Sequence, residues 1–219
     1  MGTVVIISGF LYGLSDNIIP LIKDAEVFVH SWNTDSNNRW INKLERYRKY
    51  CSNLTLTVER PKFQNKLYSH LYSTFKATQS APNLEKYDLA IKLKPNLDTE
   101  VIKFEGKIEE YFNKAFISSR PLLDKFTYKD CIYGLSYYNN FDERLFSAHP
   151  LVFKKLFHIL EEEFIENLDK VNNTLITKLG EGYEGSVFWK EWLESLKVPI
   201  IIDTDLQLPN TKRNWFETY

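Results

Sequence analysis

The first 98 residues alternate short apolar runs with amphipathic segments, and this alternation constrains the fold most strongly. Four runs predict β-strands, either buried on both faces or rich in β-branched residues: 3–8, 26–31, 54–58 and 88–93. The segments between them carry apolar residues at helical spacing, and Pro20 should keep the first helix short. Strands that alternate with helices indicate a mostly parallel sheet with right-handed crossovers. We therefore expect an α/β fold in which these four strands are neighbours.

The fourth strand leads into a polar turn that is the first candidate for a functional site. Pro95 has no N–H to donate, so regular pairing should stop at Lys94. Ligands of open α/β sheets bind just beyond the carboxyl ends of the strands. The polar residues at this end predict an anion and metal site: Lys92, Lys94, Asn96 and Asp98. A strand that exits into a solvated turn would give the same pattern.

Composition limits the classes of protein that this chain can belong to. A chain of 219 residues with 43% hydrophobic residues is long enough for one sizeable α/β domain, which we expect to span residues 1–219. The net charge of −1 gives no basic field for nucleic acid. Cys51 and Cys131 are isolated in the sequence, and we predict that both are reduced. The apolar start Thr3–Ser8 is too short for a signal peptide or a membrane anchor. We expect a soluble cytoplasmic protein.

The pattern loosens after Asp98. We expect strands within 129–136 and 141–147, then one long helix that begins near Pro150 and continues to Phe164. The last strand, 198–202, should lie at an edge of the sheet because of Pro199. The Asp-x-Asp of residues 203–205 should follow that strand, and we do not treat it as a metal site. The loop after the first strand, residues 9–13, carries neither G-x-G-x-x-G nor a P-loop motif, which argues against a Rossmann dinucleotide site and a P-loop there.

Three stretches carry a resemblance to a known family. Residues 87–98 resemble the YDxxIRxRPDL stretch of small GT-A-like glycosyltransferases from phages and bacterial polysaccharide loci, and 26–33 are similar to their DVFIHTWN. Residues 141–147 resemble a segment in which an acid precedes a strand. The resemblance implies a single GT-A-like domain, with a mostly parallel central sheet flanked by helices. It also implies transfer of a sugar from a nucleotide-sugar donor to a glycan or small acceptor.

The resemblance implies a metal site at the turn after the fourth strand. In the family an Asp-x-Asp motif holds a divalent metal, Mn²⁺ or Mg²⁺, on the diphosphate of the donor. Here Asn96 and Asp98 form an Asn-x-Asp, and lysines replace both arginines. An amide oxygen can bind such a metal but adds no charge, so metal binding should be weaker or absent. We expect only one of Lys92 and Lys94 to face the site, and choose Lys94 because it is nearest the carboxyl end.

The ends of the first two strands supply candidates for donor binding. The resemblance places the loop that begins at Gly9 against the nucleotide, with Tyr12 as the candidate for stacking on the base. His30 could contact the phosphate or ribose, and Trp32 and Asn33 belong to the same strand end. Tyr12 is equally compatible with a core or surface position. A histidine in an apolar strand is more often hydrogen-bonded in the core.

Two carboxylates are candidates for the base that an inverting transferase needs. Asp142 is chosen by resemblance, and Glu184 by the glycine-rich loop 180–185, since catalytic groups often lie on loops. The alternative is a non-catalytic relative that binds a nucleotide-sugar or a glycan, because Asn96 replaces the metal-binding acid. The sequence leaves both functions open.

Overall fold

The computed structural model describes residues 2–14, 16–95, 131–137, 140–180, 183 and 185–207. Within these ranges the description excludes the side chains of residues 17, 135–137, 140, 142 and 203–207. The predictions for Asn96, Asp98 and Glu184 therefore lie outside the described residues. Of Asp142 only the backbone is described.

Seven strands in the described part of the chain form one sheet. They are β1 (Thr3–Ser8), β2 (Glu26–Trp32), β3 (Asn53–Glu59), β4 (Leu89–Leu93), β5 (Ile132–Tyr137), β6 (Asn140–Ala148) and β7 (Ile200–Gln207). Their order across the sheet is β3-β2-β1-β4-β6-β5-β7. Four of the six neighbouring pairs are parallel, and β6 runs antiparallel to both of its neighbours. The mostly parallel sheet and the adjacency of the first four strands are confirmed.

Six helices accompany the sheet in the described ranges. They are α1 (Ile19–Ile22), α2 (Asp35–Glu45), α3 (Lys66–Gln79), α4 (Pro150–Phe157), α5 (Glu161–Leu179) and α6 (Gly185–Ser195). Three 3₁₀ turns lie at Asp16–Ile18, Arg46–Lys49 and Leu84–Lys86. The first helix is short, as the position of Pro20 predicted. The side chain of Asn65 caps α3, because its carbonyl oxygen accepts the backbone N–H of Leu67 at 2.9 Å.

The prediction of one long helix after Pro150 was wrong. The chain leaves helical geometry at His158, where φ is −93° and ψ is 54°, and α5 begins only at Glu161. Leu160 lies in this break and is 71% exposed. Its helical spacing from the other apolar residues had predicted a buried position, which it does not have. Phe157 and Phe164 are both buried, because the break lets two shorter helices pack on the same core.

The sheet is buried on both faces, as the unbroken apolar runs predicted. One face, which includes Val5 and Ile7, packs against α1, α2 and the Arg46–Lys49 turn. The other, which includes Val4 and Ile6, packs against α3 to α6. Successive strand residues point to opposite faces, so the apolar runs of β1, β2 and β4 supply both cores. Full burial of such a side chain contributes about 1.5–3 kcal/mol.

The direction of the strand order reverses between β1 and β4. From β1 the chain passes outward to β2 and β3, and then returns to place β4 on the other side of β1. Because β6 alone runs the opposite way, every other described strand ends at the same edge of the sheet. The crevice at that edge, beside the reversal, is where open α/β sheets bind ligands.

The last strand lies at an edge, as predicted, but it is longer than expected. β7 extends from Ile200 to Gln207, so Asp203 and Asp205 belong to the strand rather than to a segment after it. Asp203 pairs with Leu135, and the next pair joins Ser136 to Gln207, so the register shifts across this Asp-x-Asp.

Cys51 and Cys131 are thiols, not a disulfide. In the described residues, no helix is both long enough and apolar enough to cross a membrane.

Candidate active site

A cleft of about 500 Å³ opens at the carboxyl edge of the sheet, beside the β1–β4 reversal. Its size is in the range of small-molecule sites. It combines a backbone turn, an aromatic group, cationic side chains and one carboxylate. The lining residues are Ser8, Gly9, Phe10, Tyr12, Trp32, Thr34, Pro61, Phe63, Gln64, Lys66, Leu67, Ser69, His70, Lys94 and Glu143.

The turn after β1 is held in place by buried polar side chains. Gly9 has φ +101°, a conformation that favours glycine. Its N–H donates to Oγ of Ser73 at 2.7 Å, and its carbonyl accepts the hydroxyl of Ser31 at 2.8 Å. The same N–H lies 3.2 Å from the carbonyl oxygen of His30. The turn is therefore fixed to β2 and α3 without any ligand.

Asn37, in the first turn of α2, braces the same turn from the other side. Its Oδ1 accepts the N–H of Leu11 at 2.9 Å. Its Nδ2 donates to Oγ of Ser31 at 2.8 Å and to the carbonyl of Trp32 at 2.6 Å. Asn37 is fully buried. Buried polar groups with all partners in place make a loop rigid, because any displacement leaves several of them unsatisfied.

Aromatic side chains form one part of the cleft. The rings of Phe10 and Tyr12 stack, with centroids 5.3 Å apart and planes inclined by 11°. Trp32 lies next to Phe10, with a centroid distance of 6.4 Å. The hydroxyl of Tyr12 is anchored by a hydrogen bond with Ser36. The arrangement offers π-faces to a planar group such as a nucleobase.

Cations approach the cleft from β4. Lys94 lines it, and its Nζ lies 3.9 Å from Oε1 of Glu143. Nζ of Lys92, which is fully buried, lies 3.0 Å from Nε2 of His70, also a lining residue. Of the two lysines, only Lys94 lines the cleft, although residues two apart on a strand share a face.

An irregularity in β6 brings Glu143 to the cleft. Gly134 of β5 pairs with Phe146, but Ser136 pairs with Phe141, so β6 accommodates extra residues between these two pairs. Such bulges re-aim side chains and often lie next to functional sites. Glu143 is the cleft's carboxylate among the described lining residues, with 15% of its side chain exposed. Its backbone carbonyl accepts a hydrogen bond from Lys92.

The predicted donor-binding residues divide into two groups. Gly9, Tyr12, Trp32 and Lys94 line the cleft. Asn33 does not line it: it is exposed, and its N–H donates to the carbonyl of Glu59 at 2.7 Å.

His30 is fully buried behind the glycine turn and does not line the cleft either. Its Nδ1 lies 2.9 Å from Oγ of Ser73. Burial lowers the pKa of His30 to about 4, although the neighbouring Glu59 acts in the opposite direction. This is the core-histidine environment that the sequence left open as the alternative.

Several residues of the site escaped the sequence analysis. His70 and Lys66 both lie in the amphipathic helix α3, where nothing in the sequence pattern sets them apart. Glu143 is adjacent to the predicted Asp142, but only the irregular β5–β6 register reveals its place in the cleft. Among the described residues no group of three or more His, Cys, Asp or Glu could hold a metal ion.

Comparison with known proteins supports the fold. No protein-family model matches the sequence, and no curated protein matches it. Among solved structures, the glycosyltransferase GlyE of Streptococcus pneumoniae TIGR4 is similar at a TM-score of 0.50 and 10% identity, over 94% of this chain and 46% of that one. The chain thus spans less than half the length of GlyE. Its fold is GT-A-like.

A second solved structure shows a weaker likeness. The mannosyltransferase PcManGT from Pyrobaculum calidifontis, in complex with GDP-Man and Mn²⁺, matches at a TM-score of 0.45 and 12% identity. The match covers 97% of this chain and 57% of that one.

Proposed function

We propose that this protein is a glycosyltransferase that moves a sugar from a nucleotide-sugar donor to a glycan or small acceptor. The observation that carries the proposal is the cleft at the strand reversal, where aromatic rings and cationic side chains meet a rigid glycine turn. A nucleotide-sugar presents a planar base, an anionic diphosphate and a sugar, and the cleft offers a complement to the first two. The GT-A-like fold is consistent with this proposal.

The lining residues suggest how the donor would lie. The base would stack on the Phe10–Tyr12 pair. The diphosphate would lie toward Lys94, and Gly9 has no side chain to prevent its approach. Stabilising the negative charge that develops on the leaving diphosphate is the main electrostatic requirement of the reaction.

Asn96 and Asp98 are proposed to hold a divalent metal. They follow β4 by a few residues in the sequence, and Lys94, the last residue before Pro95, lines the cleft and donates its N–H to the carbonyl of Arg144 at 2.8 Å. One carboxylate and one amide are oxygen ligands that suit Mg²⁺ or Mn²⁺, but they leave most of the coordination to the donor's phosphates and water. When bound, the metal would supply positive charge to the diphosphate.

A carboxylate is needed to accept the proton of the acceptor hydroxyl if the enzyme inverts configuration. Asp142 and Glu184 remain the candidates from the sequence. Glu143 joins them, because its carboxylate lines the cleft. Comparing Asp142→Asn, Glu143→Gln and Glu184→Gln would separate them, since the base variant should lose turnover while keeping donor affinity.

The proposal is tested by measuring thermal shifts with UDP-, GDP- and dTDP-sugars, each with and without Mn²⁺, followed by donor hydrolysis and transfer assays. We expect one nucleotide class to raise the melting temperature, more strongly with metal, and to support turnover. A donor that binds but is never turned over would favour the non-catalytic relative. A panel without any shift would count against both functions. The cytoplasmic setting and the phage or polysaccharide-locus context stay predictions from the sequence.

A further inference from the structure

His70 of α3 is held in the cleft by contacts with three elements. A methyl group added at Gly9 would lie 3.5 Å from its Cδ2, so the ring sits against the glycine turn. Its Nε2 lies 3.0 Å from Nζ of Lys92 on β4. Its ring meets that of Trp189 of α6 at a centroid distance of 5.8 Å. These contacts set the orientation of the imidazole before a ligand arrives.

The contact with Lys92 determines the tautomer of His70. A lysine ammonium has donors and no acceptor, so Nε2 must accept its hydrogen bond, and the ring proton of a neutral imidazole then resides on Nδ1. The surroundings of Lys92 favour its protonated form. Its Nζ also donates to the carbonyl of Glu143 and lies 5.1 Å from the ring centre of Trp189. Burial first, and then the charges of Lys92 and Lys94, hold the pKa of His70 well below its usual value.

Two observations on the described residues indicate that the Nδ1–H of His70 faces the cleft. Nδ1 has no hydrogen-bond partner in the described part of the chain. Four side-chain atoms of the described residues are buried and lack a hydrogen-bond partner: Nε2 of His30 and the indole nitrogens of Trp32, Trp40 and Trp192. Nδ1 of His70 is not among them. Since His70 lines the cleft, the remaining place for this donor is the cleft itself.

We propose that His70 contacts the ligand through Nδ1–H, in a tautomer fixed by Lys92, and donates to a phosphoryl oxygen of the bound nucleoside diphosphate. This inference rests on the proposed function, and it names the group that His70 would recognise. Lys94 lines the cleft and Lys92 contacts His70 directly, so an anionic oxygen is the acceptor that the local charge favours. In this site the lysines supply the positive charge. The neutral N–H of His70 adds a directional hydrogen bond to the phosphoryl oxygen.

The tautomer can be measured without any ligand. Heteronuclear NMR of ¹⁵N-histidine-labelled protein should show the His70 ring with a protonated Nδ1 and an unprotonated Nε2 from pH 5.5 to pH 8. In Lys92→Met, which removes the donor to Nε2, the preference for this tautomer should be lost. An imidazolium at neutral pH, or an Nε2–H tautomer in the wild type, would overturn the inference.

Two amide substitutions separate ligand contact from support of Lys92. In His70→Asn the amide occupies the position of Nδ1, so it can keep the donor to the ligand but loses the acceptor for Lys92. In His70→Gln the amide reaches the position of Nε2, so it keeps the acceptor for Lys92 but loses the donor to the ligand. We expect affinity for nucleoside diphosphate to fall about tenfold or more in His70→Gln and only a few-fold in His70→Asn. Thermal stability should change in the opposite order.

Calorimetric titration with UDP, GDP, dTDP and ADP, and with pyrophosphate, supplies the binding measurements. Equal losses of affinity in both variants, or wild-type affinity in His70→Gln, would overturn the role of His70 while leaving the proposed function standing. Failure of the wild type to bind any of these ligands would instead defeat the proposed function together with the ligand contact. Binding by the wild type therefore distinguishes the two cases, and the NMR measurement tests the tautomer independently of binding.

Discussion

A single hydroxyl, that of Ser73 on α3, binds Gly9 of the cleft turn. Ser73 Oγ accepts the N–H of Gly9 at 2.7 Å and donates to the carbonyl of His30 at 2.9 Å. Nδ1 of His30 lies 2.9 Å from the same oxygen and is therefore its second donor. The hydroxyl thus uses its one proton and both acceptor positions. Because all of these groups are buried, this side chain of a distant helix is an important support of the turn that lines the cleft, beside Ser31 and Asn37.

Replacing Ser73 should therefore loosen the turn and destabilise the fold. In Ser73→Ala the N–H of Gly9 and Nδ1 of His30 lose a buried acceptor, at a cost of about 1–3 kcal/mol in the free energy of unfolding. Urea denaturation measures this loss, and donor affinity should fall with it. Ser80→Ala is the matched control, because the hydroxyl of Ser80 donates only to the carbonyl of Ala77 at the end of the same helix. Equal stability of the two variants would contradict the bracing role.

Lys94 should contribute to donor affinity more than to stability. Lys94→Met keeps the apolar stem and removes the charge, so affinity for a nucleoside diphosphate should fall about tenfold or more, with a weaker salt dependence. The pair with Glu143 is partly exposed, and its loss should have little effect on unfolding. Lys86→Met is the control, since Lys86 pairs with Glu26 at 2.8 Å and does not line the cleft. If both variants bind equally well, Lys94 does not contact the diphosphate.

The metal ligands are tested by comparing Asp98→Ala with Asp205→Ala. Both carboxylates belong to Asp-containing triplets, but Asp98 follows the strand beside the reversal, and Asp205 lies on edge strand β7. We expect Asp98→Ala to lower metal-dependent donor hydrolysis about a hundredfold or more, on the scale of losing one charge-stabilising group. Asp205→Ala should retain activity. The reverse result would place the metal site at the far edge of the sheet.

His30 should make the fold sensitive to acid. Its pKa is about 4 in the folded protein, against 6.5 in the unfolded chain. Between these values the unfolded chain binds a proton that the folded protein does not, so the free energy of unfolding falls as the pH is lowered from 6.5 toward 4. The full effect is on the order of 3 kcal/mol, and it is absent above pH 7.

His30→Asn isolates this contribution. The amide can donate to Ser73 from the position of Nδ1 but cannot titrate. Measured by urea denaturation from pH 7.5 to pH 4, the variant should lose less stability than the wild type. The carboxyl groups whose pKa values are lowered in the fold, such as those of Asp16 and Glu161, add the same slope to both proteins. Parallel pH profiles would show that His30 is not the group responsible.

Local sequence patterns determined the strands of this protein and the burial of its sheet. Unbroken apolar runs such as Val4–Ile7 leave no solvent-facing side of a strand, so they predicted a sheet covered on both faces. Pro95, which cannot donate to a ladder, correctly predicted the end of β4. The cleft-lining positions of Gly9, Tyr12, Trp32 and Lys94 follow from the same logic, because the carboxyl ends of neighbouring parallel strands meet at one edge.

What only the tertiary structure decided depends on contacts between residues far apart in the chain. The sequence left His30 open to the cleft while favouring the core, and the hydroxyl of Ser73, 43 positions away, holds it in the core. Glu143 reaches the cleft because of a register shift between β5 and β6, which no local periodicity encodes. In the sequence His70 is an ordinary polar residue of a helix, and only the fold brings Nζ of Lys92 to its Nε2. Burial and pairing across the fold set the charge and the orientation of these groups, whereas periodicity sets only which face a side chain occupies.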